Sequence, residues 1–383
     1  MREDITYDQD EAFALLKLMV NTNTVNPPGN ELALAEAIKP VLEKEGLLVS
    51  IDEFIPGRCN MIVRYPGKIS GSELMATGHL DTVPLGDRKW IHDPFGCEVE
   101  DGKAYGRGIS DMKSGDAAAL YSLILLKRSG FVPENDIVFV ATAGEEKFSI
   151  GARDFVQKGG MDKAKALLVC EPSGLELGVA HKGAYFVKTE FYGKTAHGSM
   201  PYLGINAIAH LADFVKEIGT HTFGCEPDPH LGMPTVSLNL AKGGAAMNVV
   251  PDEAECILDF RTIPGQTWVD VKAFLDEVLT TLSKKTEDFK FAYMKMAEFP
   301  SVACPENHKI LDAFDDAAGY KMKRKYINFY TDASAMVPNS DFPVVIVGPG
   351  ETSQAHQPDE YMLVDKFYEA ISIYYNFFKN YKV

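Results

Sequence analysis

Five short stretches of the 383-residue sequence carry side chains that could do chemistry together. ATGHLDTV (76–83) sets His79 two positions before Asp81. A metal-bound imidazole needs its second nitrogen held by an acceptor, often a carboxylate, and Asp81 is placed to be one. YGRGISDMKSGDAAA (105–119) offers Asp111. Its glycines invite a dinucleotide reading, but aspartate stands where the third glycine belongs and no clean strand leads into it. Asp111 reads instead as a carboxylate able to bridge two cations; an N-cap for the following helix fits Ser114 better. ATAGEEK (141–147) gives Glu145 and Glu146. Neighbours in an extended chain point to opposite sides, so one can bind metal while the other faces an attacking water. CEPSG (170–174) adds Glu171, and SQAHQPDEY (353–361) adds His356. Each residue alone has an ordinary explanation, a surface ion pair or a charged loop. Their weight lies in the set, because nitrogen and oxygen donors without thiolate suit zinc, cobalt or manganese.

These residues need elements to hold them. Apolar runs ELMATGH (73–79), DIVFVATAGEE (136–146), KALLVCEP (165–172) and FPVVIVGPG (342–350) read as strands buried on both faces, each leading to one of the polar residues. Between them, Ala117, Leu120, Tyr121, Ile124 and Leu125 recur at helical spacing, with Lys127 and Arg128 in the last turn and Gly130 to end it. Alternating strand and helix predicts an α/β domain with a mixed, mostly parallel sheet between helices, whose ligands gather outside the carboxyl ends of the strands. That is where the candidate residues fall.

The stretch 181–297 has another rhythm. GAYFVKTEFYG alternates as a strand and GINAIAHLADFVKEIG as an amphipathic helix. TVSLNLAKGG and AECILDFRTI follow as strands, TWVDVKAFLDEVLTTL as a helix and FKFAYMKM as a strand. This β-α-β-β-α-β order predicts an inserted α+β, ferredoxin-like domain. Its first strand is expected at an exposed edge. The catalytic domain is then discontinuous, 1–180 and 298–383.

Composition narrows the function classes. Lysine and arginine total 38 against 54 acids, so the net charge is 38 − 54 = −16, which argues against a nucleic-acid surface. No apolar run is long enough to cross a bilayer, the first residues are acidic and carry no apolar signal core, and the six cysteines form no CxxC pair. A cytoplasmic protein with reduced thiols is expected.

Nearly the whole chain resembles the metallohydrolases that include acetylornithine deacetylase, succinyl-diaminopimelate desuccinylase and zinc carboxypeptidases. The resemblance is carried in order by GHLDTVP, WIHDPF, DGKAYGRGISDMKSG, ATAGEEK, CEPS, GKTAHGSMPYLGINAI, NVVPDEAECILDFRTIP and GPGETSQAHQPDEYM. It implies two divalent ions, zinc or cobalt. His79 and Glu171 would hold one, Glu146 and His356 the other, and Asp111 would bridge them. Asp81 would orient His79, and Glu145 would be the general base. The inserted domain would be a lid that dimerises, with His197 reaching the partner's site. Asn248 and Arg261 would hold the substrate's carboxylate, and Thr331 would line the pocket.

The expected reaction is hydrolysis of the amide of a small N-acyl amino acid. N-succinyl-diaminopimelate, in lysine biosynthesis, is the first expectation, with Lys182 as either a second cationic anchor or a solvated loop lysine. Acetylornithine deacetylation, in arginine biosynthesis, and metallo-carboxypeptidase or dipeptidase activity are the alternatives. A non-catalytic amino-acid binder is the rival of another class, and Glu145 beside all five ligands argues against it, since a binder needs no base.

Overall fold

The computed structural model describes residues 2–337 and 341–383. Two compact units appear: 1–180 with 303–325 and 331–383, and 181–302 with 326–330. Each has its own apolar core.

In the first unit, helices α1 (Gln9–Asn21) and α2 (Glu31–Lys44) precede strands β1 (Leu48–Ile55), β2 (Arg58–Tyr65) and β3 (Ile69–His79). Asp8 caps α1 by accepting from the backbone of Asp10 and Glu11, which satisfies two of the amides a helix start leaves open. Short strands β4 (Glu98–Glu100) and β5 (Lys103–Tyr105) come next, then α3 (Ser114–Arg128), β6 (Asn135–Thr142), α4 (Ile150–Gln157), β7 (Ala164–Val169) and β8 (Leu177–His181).

The second unit contributes β9 (Gly183–Tyr192), α5 (Ala207–Thr220), β10 (Thr235–Gly243), β11 (Glu253–Thr262), α6 (Trp268–Lys285) and β12 (Lys290–Phe299). The chain ends with β13 (Val302–Ala303), α7 (Lys309–Ala318), β14 (Arg324–Ile327), α8 (Ala333–Met336), β15 (Val344–Ile346), β16 (Tyr361–Leu363) and α9 (Val364–Asn380).

The large sheet runs β1-β2-β6-β3-β7-β15-β8-β13, with β14 also on β8. Pairing is parallel where β6, β3, β7 and β15 meet, and antiparallel at β1/β2, β2/β6 and β15/β8. The sheet is therefore mixed, with the parallel part central. There the strands are buried on both faces, as their continuous apolar sequences require.

Helix α3 departs from a one-faced amphipathic helix: Ser114–Ile124 is buried without a break. Its small residues Ala117, Ala118 and Ala119 let neighbouring helices approach closely, and its first eleven positions lie inside the core rather than over it.

The four-stranded sheet of the second unit runs β10-β11-β9-β12, all antiparallel. The expected edge position for its first strand is wrong: β9 is central, and β10 and β12 are the edges. The alternation read as edge exposure comes from a sheet with one covered face. Tyr185, Val187 and Phe191 of β9 join Phe214 of α5 and Phe274 of α6 in the core, while Lys188 and Glu190 face the other way. Asn206 caps α5, and Thr267 with Asp270 forms a capping box on α6. Among the described residues, no helix is long and apolar enough to cross a membrane.

Candidate metal centre

His79 ends β3, Glu145 and Glu146 follow β6 on a single 3₁₀ turn, Glu171 lies two residues beyond β7, and His356 follows β15. The sheet's centre thus carries four of the five candidate ligands near adjacent strand ends. Asp111 arrives on the loop before α3, through a cis peptide to Met112.

Two groups of side chains form, and Asp111 belongs to both: His79, Asp111 and Glu171, and Asp111, Glu146 and His356. Asp111 turns Oδ1 to His79 Nε2 at 3.2 Å and Oδ2 to His356 Nε2 at 3.4 Å. Glu171 Oε1 stands 3.8 Å from His79 Nε2, and Glu146 Oε1 3.0 Å from His356 Nε2. His79 and Glu171 are buried, and His356 is half exposed at 52%.

The electrostatics are those of a cation site. Burial, followed by the charge of Glu171, pushes the Glu145 carboxyl well above the usual carboxylate range. Burial and then the Asp111 charge do the same to Glu171. Hydrogen bonds to Asp111 and Glu146 push His356 up to about 10. Burial works against the Asp111 carboxylate, but the hydrogen bonds from His356 and His79 outweigh it and hold it low. Five carboxyl groups (Asp111, Glu145, Glu146, Glu171 and Asp332) thus crowd around two imidazoles. Such a set of nitrogen and oxygen donors accepts hard or borderline divalent cations and releases its protons on doing so.

The residues around the ligands show how they are aimed. The main-chain carbonyl of Asp81 lies 2.9 Å from His79 Nδ1, while its carboxylate Oδ1 is 3.6 Å away. The carbonyl can only accept, so Nδ1 carries the proton and Nε2 is the nitrogen able to serve as a ligand. The Asp81 carboxylate is engaged elsewhere: Oδ1 accepts from the Glu145 backbone N–H at 3.1 Å, and Oδ2 from Asn26 Nδ2 at 2.8 Å. Asp111 has its own support in Glu360, a fully buried carboxylate that also accepts from Arg107. Asp332 accepts from Thr142 Oγ1 at the foot of the Glu145 turn. Asn26, Arg107, Asp332 and Glu360 were not singled out in the sequence. The turn signal of Asn-Pro-Pro-Gly after α1 was the one available clue to the first. The others lie close in sequence to Asp111, Thr331 and His356, but their partners are set by folding.

The remaining candidate residues divide between the units. Thr331, in the first, is fully buried, and its hydroxyl accepts from the Ala333 backbone to shape the turn into α8. His197, Asn248, Arg261 and Lys182 lie in the second unit. His197 Nδ1 accepts from the Ser199 backbone N–H at 3.1 Å, which leaves a neutral ring its proton on Nε2, an outward donor. Asn248 is exposed beside it, its carbonyl accepting from Gly198 N. Arg261 gives Nε and Nη2 to Asp259 at 2.8 and 3.0 Å, so one edge of its fork is engaged and the Nη1 side is left for another acceptor. Lys182 is buried and donates to Met233 O at 2.8 Å; the solvated loop lysine is excluded.

A two-part cluster of imidazoles and carboxylates, one part largely buried and the other open at His356, lies at the carboxyl ends of the parallel centre of a mixed sheet; with a separate acid beside it, it defines a metal-dependent hydrolase. Residues 75–380 match the family model described as Peptidase family M20/M25/M40, and the chain belongs to that family. It is thus an enzyme that acts on amide bonds. It is 28% identical to a probable succinyl-diaminopimelate desuccinylase of Staphylococcus aureus, over 96% of this chain and 97% of that one. Among solved structures it is similar to an M20 family metallo-carboxypeptidase from Sulfolobus solfataricus, with a TM-score of 0.78 at 20% identity, covering 97% of this chain and 99% of that one. It is also similar to a dinuclear metal binding peptidase of the M20 family from Bacillus subtilis, with a TM-score of 0.74 at 15% identity, covering 97% of each. At these identities the two structures speak for the fold.

Proposed function

We propose that the chain removes the acyl group from an N-acyl amino acid, with N-succinyl-diaminopimelate as the first substrate to test and a role in lysine biosynthesis. The observation that carries the hydrolytic part is Asp111 offering one oxygen to each of two imidazoles, with the buried Glu145 alongside. The substrate rests on the Staphylococcus aureus relative and its near full-length match.

His79 and Glu171 would hold one divalent ion, Glu146 and His356 the other, and Asp111 both; zinc or cobalt suits the donors. When bound, such ions polarise the amide carbonyl and make water acidic enough to attack near neutral pH. Glu145, a buried carboxyl that belongs to neither ligand group, takes the proton of the attacking water and delivers it to the leaving nitrogen. Asp81 orders both parts of this centre, His79 through its carbonyl and Glu145 through its carboxylate. The free side of Arg261, with Asn248, grips the substrate's carboxylate, and Thr331 shapes a wall of the pocket. The Nε2–H of His197 stabilises the carbonyl oxygen as charge grows there, in the site of a partner copy reached through a lid homodimer. A cytoplasmic location fits a small-molecule substrate of this kind.

Lys182 gives this reading a rival. Its amine is buried and already gives one of its three donors to Met233 O, so it is only partly available as the second anchor that a succinyl group needs. A dipeptide or acetylornithine requires no such anchor. An amide-hydrolysis panel with added zinc or cobalt decides: turnover of succinyl-diaminopimelate far above acetylornithine and dipeptides is expected. The reverse order moves the assignment to deacetylase or peptidase, and no turnover of any of them rejects the proposal.

A further inference from the structure

The segment Thr24–Asn30, between α1 and α2, is drawn alongside the loop that leaves His79. Thr24 Oγ1 donates to Leu80 O at 2.6 Å, Thr82 N to Thr24 O at 3.1 Å, and Asn26 N to Thr82 O at 2.8 Å. This brings the buried Asn26 side chain onto Asp81, whose two oxygens then serve two different segments. Oδ2 takes the Asn26 amide, and Oδ1 takes the Glu145 backbone N–H. A carboxylate held from one side alone can turn about its last bond; held from both, it has one orientation.

A buried ion pair stands behind this clasp. Arg58 gives Nε and Nη2 to the two oxygens of Glu31 at 2.6 and 2.7 Å, and Nη1 to Pro28 O at 3.2 Å. Glu31 has no exposed surface. The guanidinium also fills the space between the Asn26 turn and the Glu145 turn. A Cβ added at Gly29 would lie 2.4 Å from Arg58 Nε, and one added at Gly144 would lie 2.9 Å from Nη2. Both glycines have positive φ, +81° and +69°, so each is favoured as glycine twice over, by backbone and by contact. A planar fork meets all these demands, whereas a lysine in its place would keep the charge and lose the geometry.

We infer that Asn26, braced by the Arg58–Glu31 pair, is a positioning residue for Glu145 and acts on it through Asp81. The inference rests on the reading of Glu145 as the base. Without Asn26, the Asp81 carboxylate swings, the Glu145 backbone loses its fixed acceptor, and the base no longer meets the water at one angle. His79 and Glu171 keep their places, because they stand at or just beyond strand ends, and Asp111 is held separately by Glu360.

Hydrogen–deuterium exchange on the full, metal-loaded chain tests this without any substrate. In Asn26→Ala, the peptide covering 143–148 should exchange on the order of tenfold faster, while the peptide over 137–140 and the metal content stay as in the parent. Arg58→Lys should show the same local signature at smaller size. On the amide of the panel cut fastest, Asn26→Ala should lower kcat roughly 10- to 100-fold with KM little changed. In a Glu145→Gln background it should lower the residual rate no further. Unchanged exchange at 143–148, or losses that multiply in the double variant, would overturn the inference. If Glu145→Gln retains most of the parent's activity, the reading of the base fails instead, and the exchange arm still decides whether the clasp exists.

Discussion

The backbone N–H of Asp111 donates to Glu360 Oε1 at 3.0 Å, across 249 positions of sequence. The same carboxylate accepts from Ser110 N at 2.8 Å, from Gly108 N at 3.0 Å and from Arg107 Nη1 at 2.7 Å. One buried acid therefore moulds the loop that presents Asp111 to both imidazoles, and it sits four residues after His356, a candidate ligand on the other side of the same cluster.

Glu360→Gln keeps the shape but turns an amide N–H₂ toward groups that are all donors. Metal affinity should fall roughly 10- to 100-fold, read by titration with a competing chelator. Unchanged affinity would assign Glu360 to fold stability alone.

Glu145→Gln keeps a similar volume and removes the proton acceptor. Turnover should drop by at least about 100-fold while the chain still carries its metal by mass spectrometry. Loss of metal together with activity would make Glu145 a ligand rather than a base.

His197 can be tested by mixing. If its Nε2–H serves a partner copy, His197→Ala and Glu145→Gln chains, each inactive alone, should regain part of the parent activity once mixed dimers form. Mixed dimers that remain silent would confine His197 to its own chain or to no catalytic part.

Acid should weaken the fold through His181, the last residue of β8. Burial lowers this imidazole to about 4, with one nitrogen near the Lys182 carbonyl and the other without a partner among the described residues. The folded ring stays neutral where the unfolded ring, with its ordinary value of 6.5, takes up a proton. The unfolded state therefore binds more protons in this window, and stability is full above pH 6.5 and falls as the pH drops toward 4. The limit is about 3 kcal/mol. Chelator-treated protein, unfolded in urea across this range, should lose stability faster than a His181→Leu variant treated the same way. Parallel losses would clear His181.

The candidate ligands were legible because chemistry at a strand end leaves a local mark: an apolar run of buried-strand length that leads to His79, Glu146 or Glu171. The order of elements likewise exposed the inserted sheet, whereas the central place of β9 did not show, since one covered face produces the same alternation at an edge or within a sheet. Asp81 was visible as a neighbour of His79, but its division of labour was not. Which oxygen meets Asn26 and which meets Glu145 is decided by segments 55 and 64 residues away. Glu360 and Arg58 are the same case. Each reads in sequence as one more charged residue, and only the closing of distant loops makes it a partner.

Four adjacent strands of the sheet's centre lead to all the candidate ligands except Asp111, while the groups assigned to grip the substrate lie in loops and in the second unit. On the proposed assignment, the reaction and the choice of substrate are written in different parts of the chain. Changes at the periphery would then alter which amide is cut while leaving the cluster at the strand ends in place.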